Sequence, residues 1–211
     1  MLFYNTFSMS TCQKIYLPFK RLIGIFGSLI GIVFCLVLLW WWVIPINTIV
    51  TKGHPFFVQK RLGKKKRVFK LIKFRSMKYN VNPNLAPSDM HATAQKDMET
   101  SFGKFLRVSS IDETLQLFNI LFGKMAFIGP RPGAAVNEEE LVIEREKYTP
   151  NAYDVKPGLS GLAQVKMKRK HTPQEKAKYD HEYVKNLSFW LDVKLFFQTI
   201  FGVCGGKDGA R

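Results

Sequence analysis

The dominant pattern along the chain is an uncharged, mostly apolar run from Leu22 to Thr51, LIGIFGSLIGIVFCLVLLWWWVIPINTIVT. A membrane-spanning helix needs about 20 apolar residues, so this run is long enough to enter a bilayer. A secretory signal has an apolar core of only about 7–15 residues and a small-residue cleavage site. Here the run is longer and carries Trp40-Trp41-Trp42, whose rings suit the water–lipid interface. Lys14, Lys20 and Arg21 precede it, and Lys52, Lys60 and Arg61 follow. Positive flanks mark the cytoplasmic side. Both ends are positive, as in a re-entrant segment that enters and leaves on one side. A plain span is the alternative, because the second flank is the more basic. Pro45 would kink a helix, but it sits too near the end of the run to leave two equal arms.

The period then changes. Residues 53–79 predict a β-hairpin: HPFFVQ is β-prone, RLGKKK has turn character, and RVFKLIKF is a second strand-like run. Residues 80–97 carry turn formers and no period, which fits a loop beside a functional site or plain disorder. A helix is expected over 110–122, with Ser110 as N-cap and Glu113 completing an S-x-x-E capping box. MAFIGPRPG then reads as a short strand entering a turn, and residues 137–147 as a charged amphipathic helix. KPGLSGLAQV reads as a turn leading into a short strand, and residues 174–185 as a helix. LSFWLDVKLFFQTIFGV, 187–203, is an aromatic-rich helix whose narrow polar face is Asp192 and Lys194. It fits either a soluble core or the membrane interface, and the apolar run upstream favours the interface.

Charge sharpens this outline. Lys and Arg number 32 against 16 Asp and Glu, a formal net charge of +16. Such an excess calls for an anionic partner: nucleic acid, anionic lipid or a phosphorylated substrate. The membrane run and the lack of any nucleic-acid-binding motif argue against the first. From Lys60 to Arg75 the chain carries many basic residues and no acid, which suits a solvated strand pair, lipid headgroups, or phosphate binding by Lys73 and Arg75. Cys12, Cys35 and Cys204 show neither a disulfide framework nor zinc spacing. The four histidines form no i,i+4 metal pair and read as loop and surface residues.

The candidate chemistry centres on Asp112 and Glu113. Alone, two acids in a first helical turn cap free N–H groups and complement the helix dipole. Arg107 lies just before them, Arg131 just after in GPRP, Lys73-Phe74-Arg75 earlier, and Gln164 later in KPGLSGLAQV. Carboxylates among arginines are what a magnesium–diphosphate site needs, because Mg²⁺ takes one or two carboxylates plus substrate phosphates and arginine forks match phosphate oxygens.

With these motifs in order, the chain resembles the monotopic phosphoglycosyl transferases, the bacterial sugar transferase family that initiates glycan assembly. The resemblance runs from about Lys20 to about Thr199. It is carried by the Lys20-Arg21 start of the membrane run, GHPFFVQKRLG, KFRSM, RVSSIDETLQLFNILFGKMAFIGPRP, KPGLSGLAQV and YDHEYVKNLSFWLDVKLFFQT. It implies a covalent, two-step reaction. Asp112 attacks the β-phosphorus of a UDP-sugar, UMP leaves, and a polyprenyl (undecaprenyl) phosphate takes the phospho-sugar. Glu113 would hold Mg²⁺, the cofactor. Lys73, Arg75, Arg107, Arg131 and Gln164 would contact substrate or phosphate, and Asp180, matching a recurrent family acid, would contact substrate, orient an Arg or sit in a surface salt bridge. An ordinary aspartate is already anionic at pH 7, so the attack needs no general base. Mg²⁺ and the cations Arg75, Arg107 and Arg131 would offset repulsion between anions.

The chain departs from the family pattern at Gly24, where an Asp is usual, and in its late Pro45. It also differs at Thr114-Leu115 after the acidic pair, and at Lys166-Met167-Lys168-Arg169-Lys170, where Asn-Gly-Arg is common. A catalytically impaired member acting as a membrane assembly partner is the alternative these departures raise. The expected fold is α+β: one helix-rich cytoplasmic domain with a small β-hairpin, interfacial amphipathic helices, and an N-terminal membrane helix. For that helix the resemblance favours re-entrant over spanning. Residues 1–20 would be a flank, 21–52 the membrane helix, 53–203 the catalytic domain and 204–211 a tail. The expected partners are a UDP-sugar, polyprenyl phosphate and anionic membrane lipid, not nucleic acid, with homo-oligomers allowed. The expected place is the bacterial inner (cytoplasmic) membrane, facing the cytoplasm, at the first membrane step of surface glycan synthesis. Sugar and final glycan stay open.

Overall fold

The computed structural model describes residues 9–78, 99–135, 138–167 and 172–204. The loop expected over 80–97, positions 168–170 of the basic stretch and the tail beyond Cys204 lie outside these residues.

The apolar run and the residues before it form one uninterrupted helical path. It comprises α1 Thr11–Cys35, a π-helical turn Leu36–Trp40, and α2 Trp41–Thr51. The helix starts at Thr11 rather than near 21 because Ser10 and Gln13 make a reciprocal capping box. Pro18 and Pro45 both sit inside it. One face is lipid-like, with Phe26, Ile30, Phe34, Val37, Trp41 and Ile49 exposed. The other packs on the rest of the chain, burying Gly24, Ser28, Cys35, Trp40, Val43 and Asn47. The small residues on that face set the approach: a Cβ added at Gly31 would lie 3.0 Å from Leu117. Gln13 donates to the carbonyls of Val184 and Lys185, and Trp40 Nε1 donates to Thr114 Oγ1. The helix is therefore fastened to the domain toward both of its ends.

The predicted hairpin is present: β1 Phe56–Leu62 pairs antiparallel with β2 Val68–Phe74, in register from Phe56↔Phe74 to Leu62↔Val68. Side chains alternate along a strand. Phe69 and Leu71 point into the core, and Lys73 follows them on the same face. α3 Ser101–Val108 follows, then a 3₁₀ turn Ile111–Glu113 and α4 Gln116–Leu121. β3 Ala126–Ile128 pairs in parallel with β4 Gly158–Ser160, a second small sheet whose pairing no periodicity announced. Between them lies α5 Glu139–Glu146. The segment after β4 is helix α6 Leu162–Lys166, so the strand expected over KPGLSGLAQV is confined to its first half. α7 Pro173–Lys185 and α8 Phe189–Cys204 complete the order.

The Ser110–Glu113 capping box is not formed. Ser110 has φ 60°, in the left-handed region, and its side chain makes no cap hydrogen bond; an N-cap needs extended backbone. The α-helix consequently begins at Gln116. Asp192 does not join Lys194 on an exposed face. It is buried and accepts from the hydroxyls of Tyr16 (2.6 Å) and Tyr183 (2.7 Å). Trp190, Phe197 and Phe201 do project outward, the arrangement expected of a helix at a membrane interface.

Candidate active site

The site is built on the 3₁₀ turn after α3. Left-handed Ser110 reverses the chain, so Asp112 turns inward at 3% exposure with Glu113 beside it. α3 delivers Arg107 to the end of β2. Thr100 caps α3 by accepting from the Gly103 N–H, and Gly103 lies directly on the Ser76 backbone. Arg107 then donates to Ser76 Oγ at 3.1 Å and pairs with Glu99 at 3.0 Å. Lys73 arrives from the inner face of β2. Burial pulls its pKa down to about 8, Asp112 and Glu113 oppose that fall, and Arg107 and Arg131 add to it. Two carboxylates and three cations from four separate stretches of chain thus share one electrostatic neighbourhood.

Arg131 is the best-supported cation. Its Nη2 donates to Glu113 Oε1 at 3.0 Å, and that pairing raises the guanidinium pKa. The loop carrying it is gripped from two sides. Arg145 donates to the Arg131 carbonyl at 2.8 Å and Arg61 to the Pro132 carbonyl at 3.2 Å. Arg145 is itself buried against Asp180, at 2.5 Å. Burial disfavours its charge, but Asp180 and Tyr153 outweigh burial, so Arg145 stays a cation. Asp180 therefore reaches the acidic turn through a chain: Asp180, Arg145, the Arg131 carbonyl, and the Arg131 side chain on Glu113.

Of the residues expected from sequence, Lys73, Arg107, Asp112, Glu113 and Arg131 come together. Arg75 donates to the His54 carbonyl at 3.1 Å and lies over the Phe57 ring. Gln164 Nε2 donates to the Leu159 carbonyl at 3.0 Å. Arg61, Glu138 and Arg145 were missed. Each sits in a stretch that reads as an ordinary charged surface, and only tertiary contact shows that they fix the Arg131 loop.

The donor chemistry fits magnesium. Two adjacent carboxylates on one tight turn are the usual protein share of a Mg²⁺ site, and substrate phosphates supply the rest. No group of three or more His, Cys, Asp or Glu converges among the described residues, so these residues form no cage that would replace those phosphates.

Compared with known proteins, residues 15–206 match the family described as bacterial sugar transferase. The chain is similar to a UDP-glucose:undecaprenyl-phosphate glucose-1-phosphate transferase of Klebsiella pneumoniae, 37% identical over 201 residues, covering 91% of this chain and 41% of that protein. It is 39% identical over 160 residues to a protein of the same description from Xanthomonas campestris pv. campestris, covering 74% of this chain and 32% of the relative. It is also 39% identical over 166 residues to a UDP-N-acetylgalactosamine-undecaprenyl-phosphate N-acetylgalactosaminephosphotransferase of Aeromonas hydrophila, covering 75% and 37%. The chain thus spans between 32% and 41% of the length of these curated relatives.

Proposed function

The chain belongs to the bacterial sugar transferase family, and from that premise we propose that it transfers a sugar-1-phosphate from a UDP-sugar to undecaprenyl phosphate. The observation that carries the proposal is the buried Asp112, adjacent to Glu113 and ringed by Lys73, Arg107 and Arg131.

In the first step an Asp112 carboxylate oxygen attacks the β-phosphorus of the donor. The bond from that phosphorus to the bridging diphosphate oxygen breaks, and UMP departs with the electron pair. In the second step a phosphate oxygen of the lipid attacks the same phosphorus and the Asp112 carboxylate leaves. Carboxylate nucleophiles that form acyl-phosphates are an established strategy. Arg131, already oriented by Glu113, and Arg107, oriented by Ser76, hold charge toward the diphosphate before reaction. Lys73 adds a third cation. Glu113 and Asp112 would hold Mg²⁺, which when bound supplies charge neutralisation for the diphosphate. Glu113 would then divide its oxygens between the metal and Arg131.

The helix from Thr11 to Thr51 places this chemistry at the bilayer. It is about 60 Å long at 1.5 Å per residue. Contacts with the domain near both of its ends support a monotopic placement, the exposed apolar face in lipid and both ends on the cytoplasmic side of the inner membrane. A helix carrying the chain across the bilayer would instead leave the domain behind.

The test is UMP release by protein in nanodiscs with Mg²⁺, undecaprenyl phosphate and a panel of UDP-sugars, beside Asp112→Ala. Release with a particular donor, lost in the variant, supports the assignment and names the sugar. No release from any donor by folded, membrane-bound protein would overturn it and leave the assembly-partner reading.

A further inference from the structure

Away from the acidic turn, a cavity of about 110 Å³ opens where the charged start of α1 meets the domain. Lys20, Arg21, Lys64 and Lys156 line it together with apolar side chains such as Leu17 and Met125, and among the described residues no acid does. Lys20 is already committed to Asp192. Arg21 caps the C-terminus of α4, donating to the carbonyls of Ile120 (2.5 Å) and Leu121 (2.6 Å). Lys156 is different. It makes no hydrogen bond or ion pair with any described residue; burial lowers its pKa, and the charged groups that add to the fall, Arg21, Lys64 and Lys124, are all cations.

Gly123 shows how closely two of these cations converge. Its φ is +74°, and a Cβ built there would lie 3.3 Å from both Arg21 Nη2 and Lys156 Nζ. A cleft lined by charges of one sign concentrates counter-ions, so an anion is the natural occupant between Arg21 and Lys156. The level is also set: the uncharged run begins at Leu22, immediately after Arg21, and Phe122 beside Gly123 is 72% exposed. Cations above an apolar floor at that level fit a phosphate carried on a lipid better than one free in water.

We propose that this cavity seats the phosphate of an anionic membrane lipid between Lys156 and Arg21, with Lys64 also lining it and Lys124 near enough to act on Lys156. The inference rests on the membrane placement proposed above and not on the transfer chemistry. The test uses the full chain, delipidated in neutral detergent. Phosphatidylglycerol retention is read by native mass spectrometry and melting by differential scanning fluorimetry. Phosphatidylglycerol should bind the parent protein. Lys156→Gln should weaken it about fivefold, and Lys124→Gln with Lys156→Gln about twenty-five-fold, since each basic group near the membrane surface contributes about a factor of five. Without lipid, Lys156→Glu should melt no lower than the parent, because it inserts an acid among unbalanced cations.

Equal phosphatidylglycerol retention by parent and variants would overturn the proposal. So would tight binding of inorganic phosphate alone, which would make this a site for a soluble anion. Undecaprenyl phosphate retained through Lys156 and not displaced by phosphatidylglycerol would overturn it in favour of the acceptor. UMP release from the same preparations reports separately on the transferase reading.

Discussion

Arg131 is the residue on which the charge balance of the site turns, because its side chain holds Glu113 while its own carbonyl is held by Arg145. Lysine would keep the charge but lose the planar fork. Arg131→Lys should therefore fold normally and lower kcat/KM by about 10²-fold, the scale for loss of one preorganised donor. UMP release at several donor concentrations measures this, and unchanged turnover would remove Arg131 from the machinery. Lys176 offers a test of sign. Burial pulls its pKa to about 8 from an ordinary 10.5; Glu138 and Asp180 oppose the fall, and Arg145 and Arg131 add to it. Below about 8 both native and unfolded chains hold the proton, so the cost of burying the charge is fully present there. Between about 8 and 10.5 the unfolded chain binds the extra proton, and stability rises with pH. Lys176→Met should thus melt higher than the parent at about pH 7, and the gap should shrink as pH rises through that window. A gap that widens with pH would contradict the assignment.

Among the elements, α3 is held in place by a close backbone approach at Gly103. A Cβ on Gly103 would lie 2.0 Å from the Ser76 carbonyl oxygen, a backbone atom that no side-chain rotation can move away. Gly103→Ala should shift α3, cost about 1–3 kcal/mol as overpacking does, and draw Arg107 off Ser76. Melting temperature and UMP release should fall together; a loss of stability with full activity would show that the Arg107 position is not critical. Legibility divides along the same line. The apolar run, the hairpin and the helix over 174–185 could be read because period and composition act locally. The inward facing of Lys73, in step with Phe69 and Leu71, was not read from the sequence because so many basic residues surround it. The capping box could not be judged, because S-x-x-E describes a local preference, and here the φ of Ser110 and the pull of Arg131 on Glu113 override it. Asp192 was misplaced for a similar reason: a helical wheel treats it as surface until Lys20, Tyr16 and Tyr183 arrive from distant parts of the chain.

Across the full chain, that same cluster joins the long N-terminal helix to the domain. Lys20 and Asp192 pair at 2.6 Å with side-chain exposures of 14% and 10%, and both tyrosine hydroxyls donate to the carboxylate. Burial pulls the Lys20 pKa down and Asp192 opposes it, so the ammonium depends on its partner. Removing one member of such a pair costs about 3–5 kcal/mol, mostly by stranding the other charge, whereas replacing both can be nearly neutral. Asp192→Asn should therefore lower the melting temperature in detergent by on the order of 10 °C and expose the start of α1 to limited proteolysis. Lys20→Met added to Asp192→Asn should recover most of that loss, because asparagine can still accept from a tyrosine and no ammonium is left buried. If the double variant melts no higher than the single one, the tyrosine hydrogen bonds, and not the ion pair, fasten the helix. If Asp192→Asn melts like the parent and resists protease, α1 is held chiefly by its glycine-lined contact with α4, and the polar cluster serves another purpose.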